Sequence, residues 1–213
     1  LDLPARRYAG DRTTAFYAEL LNRIRGVPGV VAAAATSTNP FREFGFGNTV
    51  TPEEQAANAP PSGLVQAGWR SVTPGFFETL RIPLLDGRVF NAFDRKDSEP
   101  VIVISRSLAA RLWPGQPAVG RRIYWGGTTG RTWTVVGVVR DVRDVQLDLD
   151  TSLMVFLPHA HVDLQAMTVI VRTAAGVTSI APSLRDVVHR IDPSLPAPTV
   201  ERVHAALVET AGG

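Results

Sequence analysis

Helical periodicity at the two ends of the chain encloses a middle richer in strand and turn signals, and this arrangement restricts the fold more than any other feature. Near the start, Phe16, Leu20, Leu21 and Ile24 recur at helical spacing across Asp11 to Arg25. Asp11 or Thr13 can cap that helix, Gly26 suits a left-handed residue past its last turn, and Pro28 forbids continuation. Near the end, Ile180, Leu184, Val187, Val188 and Ile191 lie on one face of a helix spanning Ser179 to Ile191, which Asp192-Pro193 terminates. The small-apolar run Val30 to Ser37 reads as a buried strand, so a helix feeds a strand almost directly. That is an α/β signature.

The middle is predicted in shorter pieces. Leu64 to Thr73 is a strand, Pro74 to Leu80 a short helix with Pro in its first turn, and Asp86-Gly87 a turn. Val101 to Ile104 is a strand, after which Ser105 caps a helix from Arg106 to Trp113 that Pro114-Gly115 stops. Arg121 to Trp125 and Thr132 to Val139 form a hairpin, the second arm giving the strongest strand signal in the chain. Leu153 to Leu157, Met167 to Arg172 and the short Thr199-Val200 are further strands, and Val203 to Thr210 a last helix. Thr38 to Gly63 holds Pro40, Pro52, Pro60 and Pro61 and reads as a long loop, with one helical turn near Glu53 to Ala57. No repeat of repeat-protein length is present. The expectation is an α+β fold in which both ends share one core.

Composition narrows the function classes. With 213 residues, 45% hydrophobic and 20% charged, the chain can build one large or two small domains with a real core. Lys and Arg total 22 against 20 Asp and Glu, too small an excess for a nucleic-acid footprint. Sixteen aromatic residues do not interleave with a basic stripe, and the four Trp are expected to pack a core or an interface. There is no cysteine, which excludes disulfides, thiolate metal sites and thiol nucleophiles. No run approaches the ~18–20 apolar residues that cross a bilayer. Neither an initiator Met nor a signal pattern opens the chain, which reads as a domain excised from a longer protein.

Four segments invite a chemical reading. Gly115 to Arg122 has the glycine spacing of a phosphate loop, but Arg121 and Arg122 stand where Lys and Ser/Thr are required, and Pro117 deletes a cradle donor. Gly45-Phe46-Gly47-Asn48-Thr49-Val50 begins like a dinucleotide fingerprint, yet Val50 replaces the third glycine, so a loop is the default. His159, His161 and Asp163 would share one face of a strand and could hold zinc or iron, although the position after Pro158 favours a solvated loop. Asp141, Asp144, Asp148 and Asp150 could supply paired carboxylates, but the interspersed Arg140 and Arg143 mark a self-neutralising turn. The residues therefore nominate no catalytic, cofactor-binding or metal site.

A family resemblance adds to this. Ser71-Val72-Thr73-Pro74-Gly75-Phe76-Phe77-Glu78-Thr79-Leu80-Arg81-Ile82-Pro83-Leu84-Leu85-Asp86-Gly87-Arg88-Val89-Phe90 resembles a segment of MacB-type ABC-transporter permeases. Pro100 to Ser105, Ala109 to Gly115, Val119 to Ile123 and Trp133 to Arg143 resemble the segments that follow in that family, in the same order. Val27 to Val30, Val169 to Thr173 and Ile191 to Pro196 fit too, so the likeness runs from about Arg6 to Glu209. It implies a MacB/FtsX-type periplasmic core domain, inserted between two transmembrane helices of an inner-membrane permease and lying on the periplasmic side. It further implies a porter-like α/β subdomain from residues 1–75 with 151–213, and a smaller strand-rich, sabre-like subdomain from 76–150. The expected role is non-catalytic and cofactor-free: passing ATP-driven transmembrane motion to a substrate or partner in export. The implied partners are the permease's own transmembrane helices, a second permease copy, a cytoplasmic ATPase acting indirectly and a periplasmic adaptor protein, with no nucleic acid. The residues leave open a free-standing extracytoplasmic ligand-binding domain, and a metal enzyme using His159, His161 and Asp163.

Overall fold

The structure, a computed structural model, describes residues 1–40, 46–58, 64–142, 153–162, 164–174, 177 and 179–202. The first helix, α1, spans Asp11–Arg25 and buries Thr13, Phe16, Tyr17, Leu20, Leu21 and Ile24 on one face. Its cap differs from expectation. Asp11 is the first helical residue and Thr13 is buried, so neither caps; Gly10 does, with φ 58° and no side-chain hydrogen bond. The Asp11 carboxylate instead lies in the first turn, where the helix dipole favours negative charge. Gly26 remains right-handed at φ −77°, because its amide still bonds back to Arg23. The left-handed residue is Gly29, at φ 88°, where a Cβ would stand 2.8 Å from Val177.

Beyond it, β1 (Val30–Thr36) is buried on both faces from Ala33 onward, which accounts for the alanines there, while Val31 is exposed. Ala33 and Ala35 face α1 and α4 (Ala181–Ile191), and Ala34 faces α2 (Phe76–Leu80). Small side chains let helices approach the strand from either side. Along its other edge β1 pairs antiparallel with β9 (Thr168–Thr173).

The predicted long loop contains a strand. Phe46–Pro52 is β2, followed by a 3-10 turn over Glu53–Asn58. Gly47, Asn48 and Pro52 have poor strand propensity, but β2 is paired on both edges, and tertiary pairing overrides propensity. Pro52 is tolerated as the last residue of the strand. Gly47 to Val50, read as a loop, are therefore strand residues, and Gly45 and Asp163 lie outside the described residues.

The remaining strands are β3 (Val65–Val72), β4 (Leu84–Gly87), β5 (Val101–Ser105), β6 (Arg122–Trp125), β7 (Thr132–Val139) and β8 (Met154–Pro158). The nine strands among the described residues form one sheet in the order β2-β6-β7-β5-β8-β3-β1-β9, with β4 attached to β7. Because β2 also pairs with β3, the six strands β2, β6, β7, β5, β8 and β3 make a closed circuit. Alternation sorts their side chains into two cores. Val50, Ile123, Trp133, Val135, Ile102, Ile104, Val155, Leu157 and Ala67 share one cluster, together with Leu108, Leu112 and Trp113 from α3 (Arg106–Leu112) and its end. Val72, Val101, Val103, Val139, Met154 and Phe156 belong to a second, against Phe76 and Phe77 of α2. A third cluster joins α1 and α4 to β1 and β9.

Several local expectations shift. The α3 cap is as expected, with Ser105 Oγ accepting from the Leu108 amide at 3.3 Å. Pro74 lies two residues ahead of α2, whose cap is Gly75 at φ 90°. Asp86-Gly87, predicted as a turn, ends β4 instead, because Gly87 pairs with Gly137 of β7. Thr199-Val200 forms no strand; Val200 packs sideways on the α1–α4 core. The predicted helix Val203 to Thr210 lies outside the described residues.

The paired glycines give a test. A Cβ on Gly137 would lie 2.1 Å from the Arg88 carbonyl oxygen, whereas a Cβ on Gly47 would meet nothing within 4 Å. Gly137→Ala is expected to lower unfolding free energy by about 2–3 kcal/mol. Gly47→Ala is expected to leave it unchanged or raise it by up to ~1 kcal/mol. Urea-denaturation midpoints of the two variants check both.

Candidate functional site

The phosphate-loop lookalike is a brace. Gly115 and Gly120 take φ values of 67° and 87° as the chain turns from α3 into β6. Arg121 donates through Nε to the Pro117 carbonyl at 2.9 Å and through NH1 to Glu54 at 3.1 Å. Its guanidinium lies 5.6 Å from the centre of the Trp113 ring, and Trp113 Nε1 donates to the same Glu54 oxygen at 2.6 Å. Burial works to raise the Glu54 carboxyl, but hydrogen bonds from its own amide, Trp113 and Arg121, with the Arg121 charge, hold it below its ordinary value. These side chains fasten α3 and β6 to the turn after β2.

The two histidines occupy a 3-10 turn, His159–His161, and they are not solvated as expected. His159 is buried, its ring edge-on to Tyr17 at 5.3 Å, and its Nε2 donates to the Leu164 carbonyl at 3.1 Å. His161 packs edge-on against Trp133 at 5.7 Å, and its buried Nδ1 has no partner among the described residues. Burial and the Arg131 charge lower its pKa, against an opposing pull from Asp94. The rings point into different cores, Tyr17 belonging to the α1 layer and Trp133 to the strand circuit. Among the described residues, no three His, Asp or Glu side chains converge on a point that could hold a metal ion.

Asp141 caps α3 from a distance. Its carboxylate accepts from the Ser107 amide and hydroxyl, both at 2.8 Å, beside Arg106 Nε at 3.5 Å. Asp144, Asp148 and Asp150 lie outside the described residues.

Three polar groups that periodicity does not reveal are more deeply committed. Arg70, 4% exposed, donates to Thr38 Oγ1 at 2.6 Å beside a cavity of about 10 Å³ lined by Phe76, Met154 and Phe156. That is room for a single water. Asp94 accepts both arms of Arg88 at 2.8 Å and the Asn91 amide at 2.9 Å. Burial raises its carboxyl, but the Arg88 fork and the Asn91 amide outweigh burial and leave it lowered. Asp192, just past α4, accepts from Arg7 NH1 at 2.7 Å, Tyr8 Oη at 2.6 Å, the Ser194 hydroxyl at 2.6 Å and the Ser194 amide at 2.9 Å. Hydrogen bonds from Ser194 and Tyr8, with smaller help from Arg7, hold its carboxyl far below the ordinary range. The sequence clue was local: Asp-Pro-Ser after a helix is a turn signal, but its distant partners are set by folding.

An open groove of about 300 Å³ runs along α4, lined by Arg185, Asp186, Val188, His189, Leu195 and Ala197. It lacks the enclosed apolar lining of a small-molecule site. The Glu54, Asp141, Arg70 and Asp192 clusters each fasten separate segments together, while the Asp94 cluster holds the loop of residues 88–94 to itself.

The chain belongs to the MacB-like periplasmic core domain family, whose model matches residues 4–187. One relative, the probable export ATP-binding/permease protein MacB of Pseudomonas entomophila (strain L48), is 30% identical over 131 residues. That match covers 61% of this chain and 17% of the relative, so the chain spans about a sixth of its length. The fold is similar to the periplasmic region of MacB from Actinobacillus actinomycetemcomitans, with TM-score 0.56, 14% identity, 82% of this chain and 73% of that one covered. It is similar also to the extracellular domain of the noncanonic ABC-type transporter YknZ from Gram-positive bacteria, with TM-score 0.53, 18% identity and coverage of 90% and 89%. At these identities the two structures establish the fold.

The Asp94 cluster gives a pH prediction. A carboxyl whose folded pKa is depressed contributes stability that is present above its unfolded value of ~3.9 and is lost as pH falls. Asp94→Asn is expected to melt below the wild type at pH 7 and to approach it at pH 3. Thermal melts at the two pH values check this.

Proposed function

We propose that this domain is the extracytoplasmic part of an ABC-transporter permease subunit, that it carries no catalysis, and that it passes ATP-driven transmembrane motion to a substrate or partner protein during export. The observation that carries the reading is the family match over most of the chain, on a fold whose polar clusters fasten elements together. In this reading the transmembrane helices of the same permease adjoin the domain. A cytoplasmic ATPase drives it indirectly, a second copy of the permease faces it, and a periplasmic adaptor receives the motion. The protein sits in the inner membrane with this segment on the periplasmic side. No helix among the described residues is long and apolar enough to cross a membrane, so the spans in this reading lie outside them.

The same reading divides the chain into a porter-like unit, residues 1–75 with 151–213, and a sabre-like unit, residues 76–150. Support comes from the cores. The cluster around α1 and α4 draws on residues 1–35 and 164–200, whereas the cluster inside the strand circuit draws on residues 50–162. β2, β3 and β8 contribute to the second cluster while belonging in sequence to the first unit, so the units share strands rather than a linker.

The turn between β6 and β7 offers a test, because a Cβ at Gly127 would meet nothing within 4 Å. Alkaline phosphatase inserted after Gly127 in the full-length parent, expressed in intact cells, is expected to be active, as it is only outside the cytoplasm. An inactive fusion, with a cytoplasmic reporter active at the same site, overturns the proposal.

A further inference from the structure

The hydrogen bonds at Asp192 join parts of the chain that are 184 and 185 residues apart. Arg7 and Tyr8 lie in the segment that leads into α1, and Asp192 and Ser194 begin the segment that leaves α4. Asp192 uses both carboxylate oxygens. Oδ2 accepts from Arg7 and Tyr8, and Oδ1 accepts from the Ser194 hydroxyl and amide. Arg7 NH1 also reaches Ser194 Oγ at 2.6 Å, which completes a ring of contacts. Tyr8 is held in turn, edge-on to Phe16 of α1 at 5.1 Å.

A second fastening lies earlier in the same segment. Asp2 bridges Ala166, the Met167 amide donates to the Leu1 carbonyl at 2.9 Å, and the Tyr17 hydroxyl reaches the Gln165 carbonyl at 2.7 Å. Residues 1–3 are thus tied to the approach to β9, and residues 7–8 to the exit from α4. Two attachments make a lever and one makes a hinge. The entering segment cannot swing away from α4 while the Asp192 contacts hold.

Resting on the permease reading, we propose that the Arg7–Tyr8–Asp192–Ser194 cluster is a clasp that makes the entering and leaving segments of the domain move as one body. Displacement of either segment then loads α1 and α4 together, and through them β1 and β9. With the clasp open, residues 4–8 are free to pivot about the bridge at Asp2, and movement of the segments no longer carries both helices. Charge-assisted hydrogen bonds with such geometry are the strong ones, and a carboxylate shared by four donors opens cooperatively. Asp192→Asn can keep the Ser194 bonds but turns an amide NH₂ toward Arg7 and Tyr8, so the Arg7 bond is lost and the Tyr8 bond survives only reversed, with Tyr8 Oη accepting, which selectively weakens the long-range half. Arg7→Gln with Tyr8→Phe opens the same half from the other side, leaving the ring against Phe16, should D192N fold poorly.

Amide hydrogen exchange on the 213-residue chain tests the clasp whether or not the permease reading holds. In D192N, exchange at Tyr8 and Leu195 is expected to rise roughly tenfold while Leu3, α3 and β7 amides are unchanged. No change, or equal acceleration everywhere, overturns the clasp. Its role in transmission is read in the full-length parent with its ATPase, its other cysteines removed, and spin labels at Arg111→Cys and Arg190→Cys. The wild type is expected to change its interlabel distance between nucleotide-free and ATP–vanadate states, and D192N to lose that change. An unaltered change in D192N overturns the clasp alone. A wild type that never changes overturns the transmission reading, and the clasp's part in it.

Discussion

β2 is hydrogen-bonded along both edges, to β3 through five residue pairs and to β6 through three, and the rest of the structure depends on that double pairing. It converts an open run of strands into a circuit with an inside. Once the circuit closes, side-chain alternation leaves little freedom. Val50, Ile123, Trp133, Val135, Ile102, Ile104 and Val155 must share one face, and α3 covers them with Leu108 and Leu112. The same pairing leaves only the far end of β3 for β1, at Thr36 and Val72, where the Thr73 hydroxyl and the Ala35 backbone also bond. The chain-end layer is therefore hung from the circuit at the tip of one strand edge.

Two features stiffen that attachment. β8 lies between β5 and β3, within the circuit, and runs directly into the His159–His161 turn. There one histidine stacks on the α1 layer and the next on the circuit, so a single turn touches both cores. On the other face, α2 wedges Phe76 and Phe77 between β1 and the outer side of β5 and β8. Its last residue precedes Arg81, at φ 57°, the one non-glycine residue with positive φ among the described residues. Arginine is held there by the Ile82 amide bond to Phe77 and by the buried neighbours, at a cost of order 1 kcal/mol.

The helices and most strands were legible because their signals are local. α1 and α4 follow from apolar spacing, β1 from a run of small residues, and the Ser105 cap from residue type and position. β2 was not legible, since Gly47, Asn48 and Pro52 argue against a strand and only two preformed neighbours make one. β4 was hidden for a related reason: Asp86-Gly87 has turn chemistry, and the strand exists because Gly137 lets Arg88 approach. The polar clusters were the least legible of all. Asp192 finds Arg7, Asp141 finds Ser107, and Glu54 finds both Trp113 and Arg121, all across distances in sequence that no spacing rule spans. The family likeness, carried by ordered segments rather than by single residues, was readable where the chemistry was not.

The placement of the tryptophans has an optical consequence. All four belong to the circuit's core, Trp113 and Trp133 buried within it and Trp69 and Trp125 packed against it edge to face. The α1–α4 layer holds Tyr8 and Tyr17 but no tryptophan. Indole emission from this domain therefore reports on the circuit alone, whereas the tyrosines are divided, Tyr8 and Tyr17 in the layer where the chain enters and leaves and Tyr124 in β6. The circuit carries its own intrinsic dye, and its loosening can be followed without attaching a label.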